Sequence, residues 1–209
     1  QFNPEQKDEF KDELMKRLEK NEKEAEKNQK LLDELKELTD KLKEEELFDK
    51  VEKFKQNAKD QTKNLEQLVE LTKRFYVEKK AEQIADKLNK LAEKQEQLSE
   101  SKDNNAQKQE DINKEFDKMQ QEMRDLEKQN EELKKPMDIP TDKEQEQSIE
   151  EDMKNASDEL KKENKDKAQK AKPKQKSAAK KMKQMGGQMM EMMASGDMEQ
   201  MEEDVKMLR

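Results

Sequence analysis

Nine methionines fall among residues 182 to 207, and six of them, Met182, Met185, Met189, Met190, Met192 and Met193, crowd into twelve positions. A thioether is apolar, polarizable and unbranched, so three chemistries suit such a cluster. It can fill irregular contacts between helices, present an adaptable face to other helices, or hold cuprous ion through soft sulfur. Copper sites of that kind usually recruit His or Cys as well, and this chain contains neither. Immediately upstream, residues 161 to 183 carry eleven lysines against Glu163 and Asp166. Lysine without arginine and without aromatic stacking partners argues against specific nucleic-acid recognition. What stays open is loose attraction to anionic lipid or another polyanion, beside the plainer role of a solvated helix face. The residues through which this chain would make contacts are therefore the six methionines together with Lys170, Lys172, Lys174, Lys176, Lys180 and Lys181.

The rest of the composition argues against catalysis. Without His or Cys there are no zinc ligands of the usual kinds, no imidazole-activated nucleophile and no ordinary proton shuttle. Carboxylate pairs are plentiful, but in a chain that is 48% charged every helical spacing arises by chance. Gly186 and Gly187 lack the Lys-Ser/Thr that completes a phosphate loop. We expect no catalytic residue, no cofactor and no metal site, hence a non-enzyme.

The elements that must position these groups are legible in the periodicity. With 28% apolar residues, no Trp and 209 positions, a compact core of that length is not expected, which leaves disorder or coiled coil. Leu47, Val51, Phe54, Ala58, Gln61, Leu65, Leu68, Thr72 and Phe75 recur at alternating steps of four and three, a heptad seam. The spacing returns at Ala81, Ile84, Leu88, Leu91, Gln95 and Leu98. It returns again at Ala106, Gln109, Ile112, Phe116, Met119, Met123, Leu126, Asn130 and Leu133. The expected fold class is all-α, an elongated antiparallel coiled coil or set of long helical hairpins with a Met-rich helical C-terminal part.

Three regions follow. Residues 1–100 read as one or more long arms, beginning at an Asn3, Pro4, Gln6 capping signal and carrying Phe10, Leu14, Leu18, Ala25, Leu32, Leu35, Leu38 and Leu42. Phase slips fall near 44–47 and 75–77, the first favouring a bend. Residues 104–172 read as an antiparallel hairpin. The turn formers from Ser99 to Asn105 reverse the chain before it, Pro136 and Pro140 bound the loop at 136–140, and a Thr141 and Glu144 capping box opens a helix running through Ile149, Met153, Ala156, Leu160, Ala168 and Ala171. Residues 173–209 read as a Lys-rich, then Met-rich helical segment, broken or kinked at Pro173, interrupted at Gly186 and Gly187, and broken again at Ser195, Gly196 and Asp197.

The run Ala168-Gln169-Lys170-Ala171-Lys172-Pro173-Lys174-Gln175-Lys176-Ser177-Ala178-Ala179-Lys180-Lys181-Met182-Lys183-Gln184-Met185, followed by Gln188-Met189-Met190 and preceded by the long Glu/Lys coiled coil, resembles the large envelope proteins of Bacteroidota in domain-of-unknown-function family 4175. The resemblance implies a membrane-anchored protein of the cell envelope, with this region as a helical stretch on the periplasmic side or associated with the membrane. It carries no catalytic residues across. A start at Gln1 and a stop inside a periodic stretch suggest an excised piece of a longer chain, with any membrane span outside it. The expected function is a non-catalytic structural and interaction segment, a helical spacer that contacts other protein helices, copies of itself included. The alternatives are a chaperone-like module holding apolar peptide at the Met-rich end, and polyanion or anionic-lipid binding through residues 161–183.

Overall fold

The computed structural model describes residues 4–44 and 65–207. Among them are five helices, α1 (Pro4–Glu44), α2 (Leu65–Glu100), α3 (Ala106–Glu131), α4 (Lys143–Lys161) and α5 (Lys167–Met207), and no strand. The protein is all-α. The expected bend at 44–47 and most of the seam from Leu47 lie outside the described residues, as does the side chain of Leu68.

The chain divides into two compact units, the first ending at Lys73 and the second running Arg74–Met207. In the first, Lys27 pairs with Glu66 and Glu34 pairs with Lys73. Each pair advances seven residues on both helices, so α1 and the first turns of α2 run parallel. Leu31, Leu35 and Leu38 of α1 are half-buried, whereas Met15, Leu18 and Leu32 stay 61%, 55% and 46% exposed. The apolar stripe expected along α1 is thus split. Part of it is sheltered, and the heptad run through Leu18, Ala25 and Leu32 faces solvent.

The second unit is a four-helix bundle. Lys87 of α2 reaches Glu122 of α3 at 3.0 Å, and Lys94 reaches Glu115 at 3.1 Å. Seven residues forward on one helix match seven backward on the other, the mark of an antiparallel pair. Lys161 of α4 bonds Glu110 of α3 at 2.6 Å, while Asn113 lies against the Met153 carbonyl at 3.5 Å. Lys181 of α5 donates to Ser148 and Asp152 of α4 at 2.6 and 2.8 Å. Lys172 and Lys176 of α5 close the ring on Glu100 of α2. Each helix therefore lies beside its chain neighbour and α5 returns to α2, the up-down-up-down arrangement. One apolar cluster joins all four, from Ile84, Leu88 and Leu91 through Phe116, Met119 and Met123 to Ile149, Met153, Met182 and Met189.

On α2, residues Ala85, Ala92 and Ser99 are buried beside the seam residues Ile84, Leu91 and Leu98. A two-stranded coiled coil would bury a narrower stripe; this helix serves α3 on one side and α5 on the other. A small core becomes possible because the bundle fills its interior with alanine, methionine and paired amides as well as the few large aliphatic residues.

The chain reverses between Glu100 and Ala106, where Asn105 caps α3 by accepting from the Lys108 backbone N–H at 2.9 Å. The phase slip at 75–77 lies within the continuous α2, with Tyr76 and Val77 buried. Other boundaries differ from the expectation. α3 ends at Glu131 rather than Lys135, since the Asn130 side chain takes both backbone groups of Met137, at 2.7 and 2.8 Å, and draws the chain out of the helix ahead of Pro136. α4 is capped by Asp142, which accepts from the Gln145 N–H at 3.1 Å, in place of Thr141. It stops at Lys161 instead of running through Ala171, because no apolar residue between Leu160 and Ala168 gives a further turn anything to bury. Ala171 still meets Ala156 and Leu160, across a turn rather than along one helix.

Most consequentially, α5 runs unbroken through Pro173, Gly186, Gly187 and the Ser195 to Asp197 stretch. Pro173 is exposed, so the Gln169 carbonyl that loses its donor can turn to water. Packing against three neighbours outweighs the local propensity of the glycines, worth only about 1 kcal/mol each.

Candidate functional site

Met182, Met185, Met189 and Met193 stand three or four residues apart on α5 and lie buried in the bundle; Met190 and Met192 are exposed on the two edges of that stripe, Met190 accepting from the Asn89 side chain of α2 at 3.8 Å. Four of the six methionines are therefore core and two lie exposed at its margins. Thioether chains suit this interior because α5 approaches α2 unevenly. A Cβ at Gly186 would sit 2.6 Å from the Asn89 side-chain oxygen and 3.1 Å from the Ala85 carbonyl, whereas one at Gly187 would meet nothing. Gly186 is where the two backbones come close, and flexible methionines fill the spaces to either side.

One end of the bundle holds a buried amide network. Gln95 of α2 and Gln109 of α3 exchange hydrogen bonds at 2.8 and 2.7 Å. Gln175 of α5 donates to Gln109 at 2.9 Å and exchanges bonds with Asn104 of the α2–α3 turn at 2.7 and 2.8 Å. Gln109 also donates to Asn113 at 2.9 Å, which uses both its donor hydrogens and both acceptor positions. The three glutamines are fully buried. An unpaired amide there would cost several kcal/mol on a water-to-hydrocarbon scale, so one axial alignment of α2, α3 and α5 satisfies the set and slipped alignments do not. Gln95 and Gln109 occupy seam positions in the sequence, which is a readable signal. Gln175 and Asn104 carry none, since nothing local says that the fourth bundle helix crosses the first turn.

The lysines are mostly engaged. Lys172 and Lys176 converge on Glu100 at 2.8 and 2.6 Å, and their hydrogen bonds hold its carboxyl down at about 2. Lys176 is raised in turn by the same bond. Lys181 and Lys174 flank the buried Asp152 at 2.8 and 3.9 Å, and Lys170 lies 3.6 Å from Asp166. Lys180 is exposed. Asp152 had no signature in the sequence beyond its place in an acidic stretch. Burial between α3 and α4, reinforced by Glu127, raises the Glu146 carboxyl.

Two grooves flank α3. Between α2 and α3, a groove of about 400 Å³ has Leu91 and Met119 in its lining with Lys87, Lys90, Lys94 and Lys118 around them. Between α3 and α4, a groove of about 440 Å³ is lined by Phe116 and Met153 with an excess of carboxylates. Comparison with protein-family models, with curated proteins and with solved structures finds no match.

Proposed function

We propose that this chain is a non-catalytic helical interaction segment, working as spacer and contact surface for other helices, copies of itself included. The observation that carries the reading is the exposed heptad stripe of Met15, Leu18 and Leu32 on α1, in a molecule whose second unit shelters the large aliphatic residues described in it. Water leaves such a stripe uncovered at a cost of roughly 25 cal/mol per Å², and a second helix with the same spacing is its natural cover. A place in a membrane-anchored envelope protein rests on the resemblance of residues 168–190. No helix among the described residues is long and apolar enough to cross a membrane.

The client-binding alternative has less support, because four of the six methionines are committed to the bundle's own core. The polyanion alternative is weakened in the same way. Of the eleven lysines between 161 and 183, seven lie within 3.9 Å of a carboxylate, and an incoming anion would have to displace those pairs. Sedimentation equilibrium over the micromolar range tests the leading reading. The chain should show a mass above its monomer value of 24.9 kDa, and Leu18→Glu with Leu32→Glu should return it to that value with helicity unchanged. A wild-type chain that stays monomeric throughout overturns the self-contact.

A further inference from the structure

The groove between α3 and α4 contains an orphan. Ser157 is 4% exposed, and its hydroxyl has no hydrogen-bond partner, although a helical serine can ordinarily bond back to the carbonyl four residues earlier. It lines the groove together with Phe116 and Met153, whose apolar side chains offer it nothing. A buried polar group left this way costs about 1–3 kcal/mol, which a polar ligand group reaching it would recover.

The surroundings indicate what kind of group. Among the lining residues four carboxylates, Glu110 and Asp117 from α3 with Glu150 and Asp158 from α4, outnumber Lys154 and Lys161 by two, although Lys114 acts on Glu110 from beside the groove and Lys161 acts on Asp158 as well as Glu110. Lys161 is bound to Glu110 at 2.6 Å and closes one end. Asn113 is held by Gln109 at 2.9 Å and is not available to a ligand as an acceptor on that lone pair. Glu150 and Asp158 are separated by two turns of α4, about 12 Å along the axis. Among the described residues no three carboxylates converge as a metal site would require, so the excess charge is spread along a track.

We propose that this groove binds a linear aliphatic polyamine. Its terminal ammonium groups pair with Glu150 at one end and Asp158 at the other, with Asp117 opposite on α3. An N–H donates to the Ser157 oxygen, and the methylenes lie over Phe116 and Met153. A compact inorganic cation would satisfy the charge but neither the length nor the apolar floor. The assignment is independent of any role of α1.

Isothermal titration calorimetry with spermidine on the full chain, at low and at moderate salt, tests it. One saturable site is expected, weakening as salt rises. Glu150→Gln with Asp158→Asn, both at exposed positions, should lower the affinity at least tenfold, and Ser157→Ala should lower it about threefold. The same charge removal in the other groove, Glu115→Gln with Glu122→Gln, should change it less than twofold. Circular dichroism of each variant separates lost binding from lost fold. Heat without saturation, or equal weakening by the two charge-removal pairs, would mean diffuse attraction to an acidic surface and would overturn the site. Binding of magnesium with equal affinity and the same dependence on Ser157 would overturn the polyamine assignment.

Discussion

Gln109 is the residue on which the amide network turns, because all of its hydrogen-bonding capacity is used and three other side chains depend on it. Gln109→Leu should therefore destabilise the bundle by about 1–3 kcal/mol for each amide it strands, measured by urea denaturation. Replacing Gln95, Gln109 and Gln175 together by Leu should recover much of that loss. It should also broaden the amide spectrum in NMR, since an apolar layer accepts several alignments where matched amides accept one. Glu100 gives a second test. Its folded carboxyl titrates at about 2 against an ordinary 4.5, so the stability it contributes is fully present above pH 4.5 and is lost as pH falls towards 2. The group is exposed and its two lysine pairs are screened by water, so the effect will be small. Thermal melts of Glu100→Gln should lie slightly below the parent near neutrality and converge on it as pH falls towards 2, giving a shallower fall across that window.

At the scale of the element, α5 places two adjacent glycines in opposite situations. Gly187→Ala should stabilise by up to about 1 kcal/mol, because it gains helix propensity and meets open space. Gly186→Ala should forfeit most of that gain, since the Asn89 side chain must move and the Ala85 carbonyl must give by a few tenths of an ångström. The methionines separate packing from open binding. Met182, Met185, Met189 and Met193 changed together to Leu should leave helicity and melting nearly intact, as volume and apolarity are kept. The same four changed to Gln should bury amides without partners and melt the bundle, by circular dichroism and by proteolysis near Gly186. Full helicity in the Gln version would show that this face is not a core.

For the whole molecule, α2 to α5 share one apolar cluster, so damage at its centre should spread to every helix of the second unit. Leu88 is fully buried there, and Leu88→Ala should cost about 2–5 kcal/mol. Hydrogen exchange should then show protection falling along all four helices together. A loss confined to the turns around Leu88 would mean that the bundle is not one cooperative body.

Read alone, the residues determined the helices and their buried faces wherever a repeat ran unbroken. The seams at Ala81 to Leu98 and Gln109 to Leu133 are the faces that went inside, and the turn after Ser99 and the loop around Pro136 stand where composition placed them. Periodicity works there because a helix in water must bury whatever apolar stripe it carries. Tertiary structure decided what each stripe meets. It turned a narrow seam on α2 into a shared wall, carried α5 through a proline and three glycines, and divided six methionines between core and surface. Those outcomes depend on contacts between residues seventy or more positions apart, such as Asn104 with Gln175 and Gly186 with Ala85, and no local pattern encodes them. The four amides of the buried layer and the stranded hydroxyl of Ser157 are products of the same long-range placement. A glutamine or serine acquires its character only when the surroundings that remove water from it are assembled.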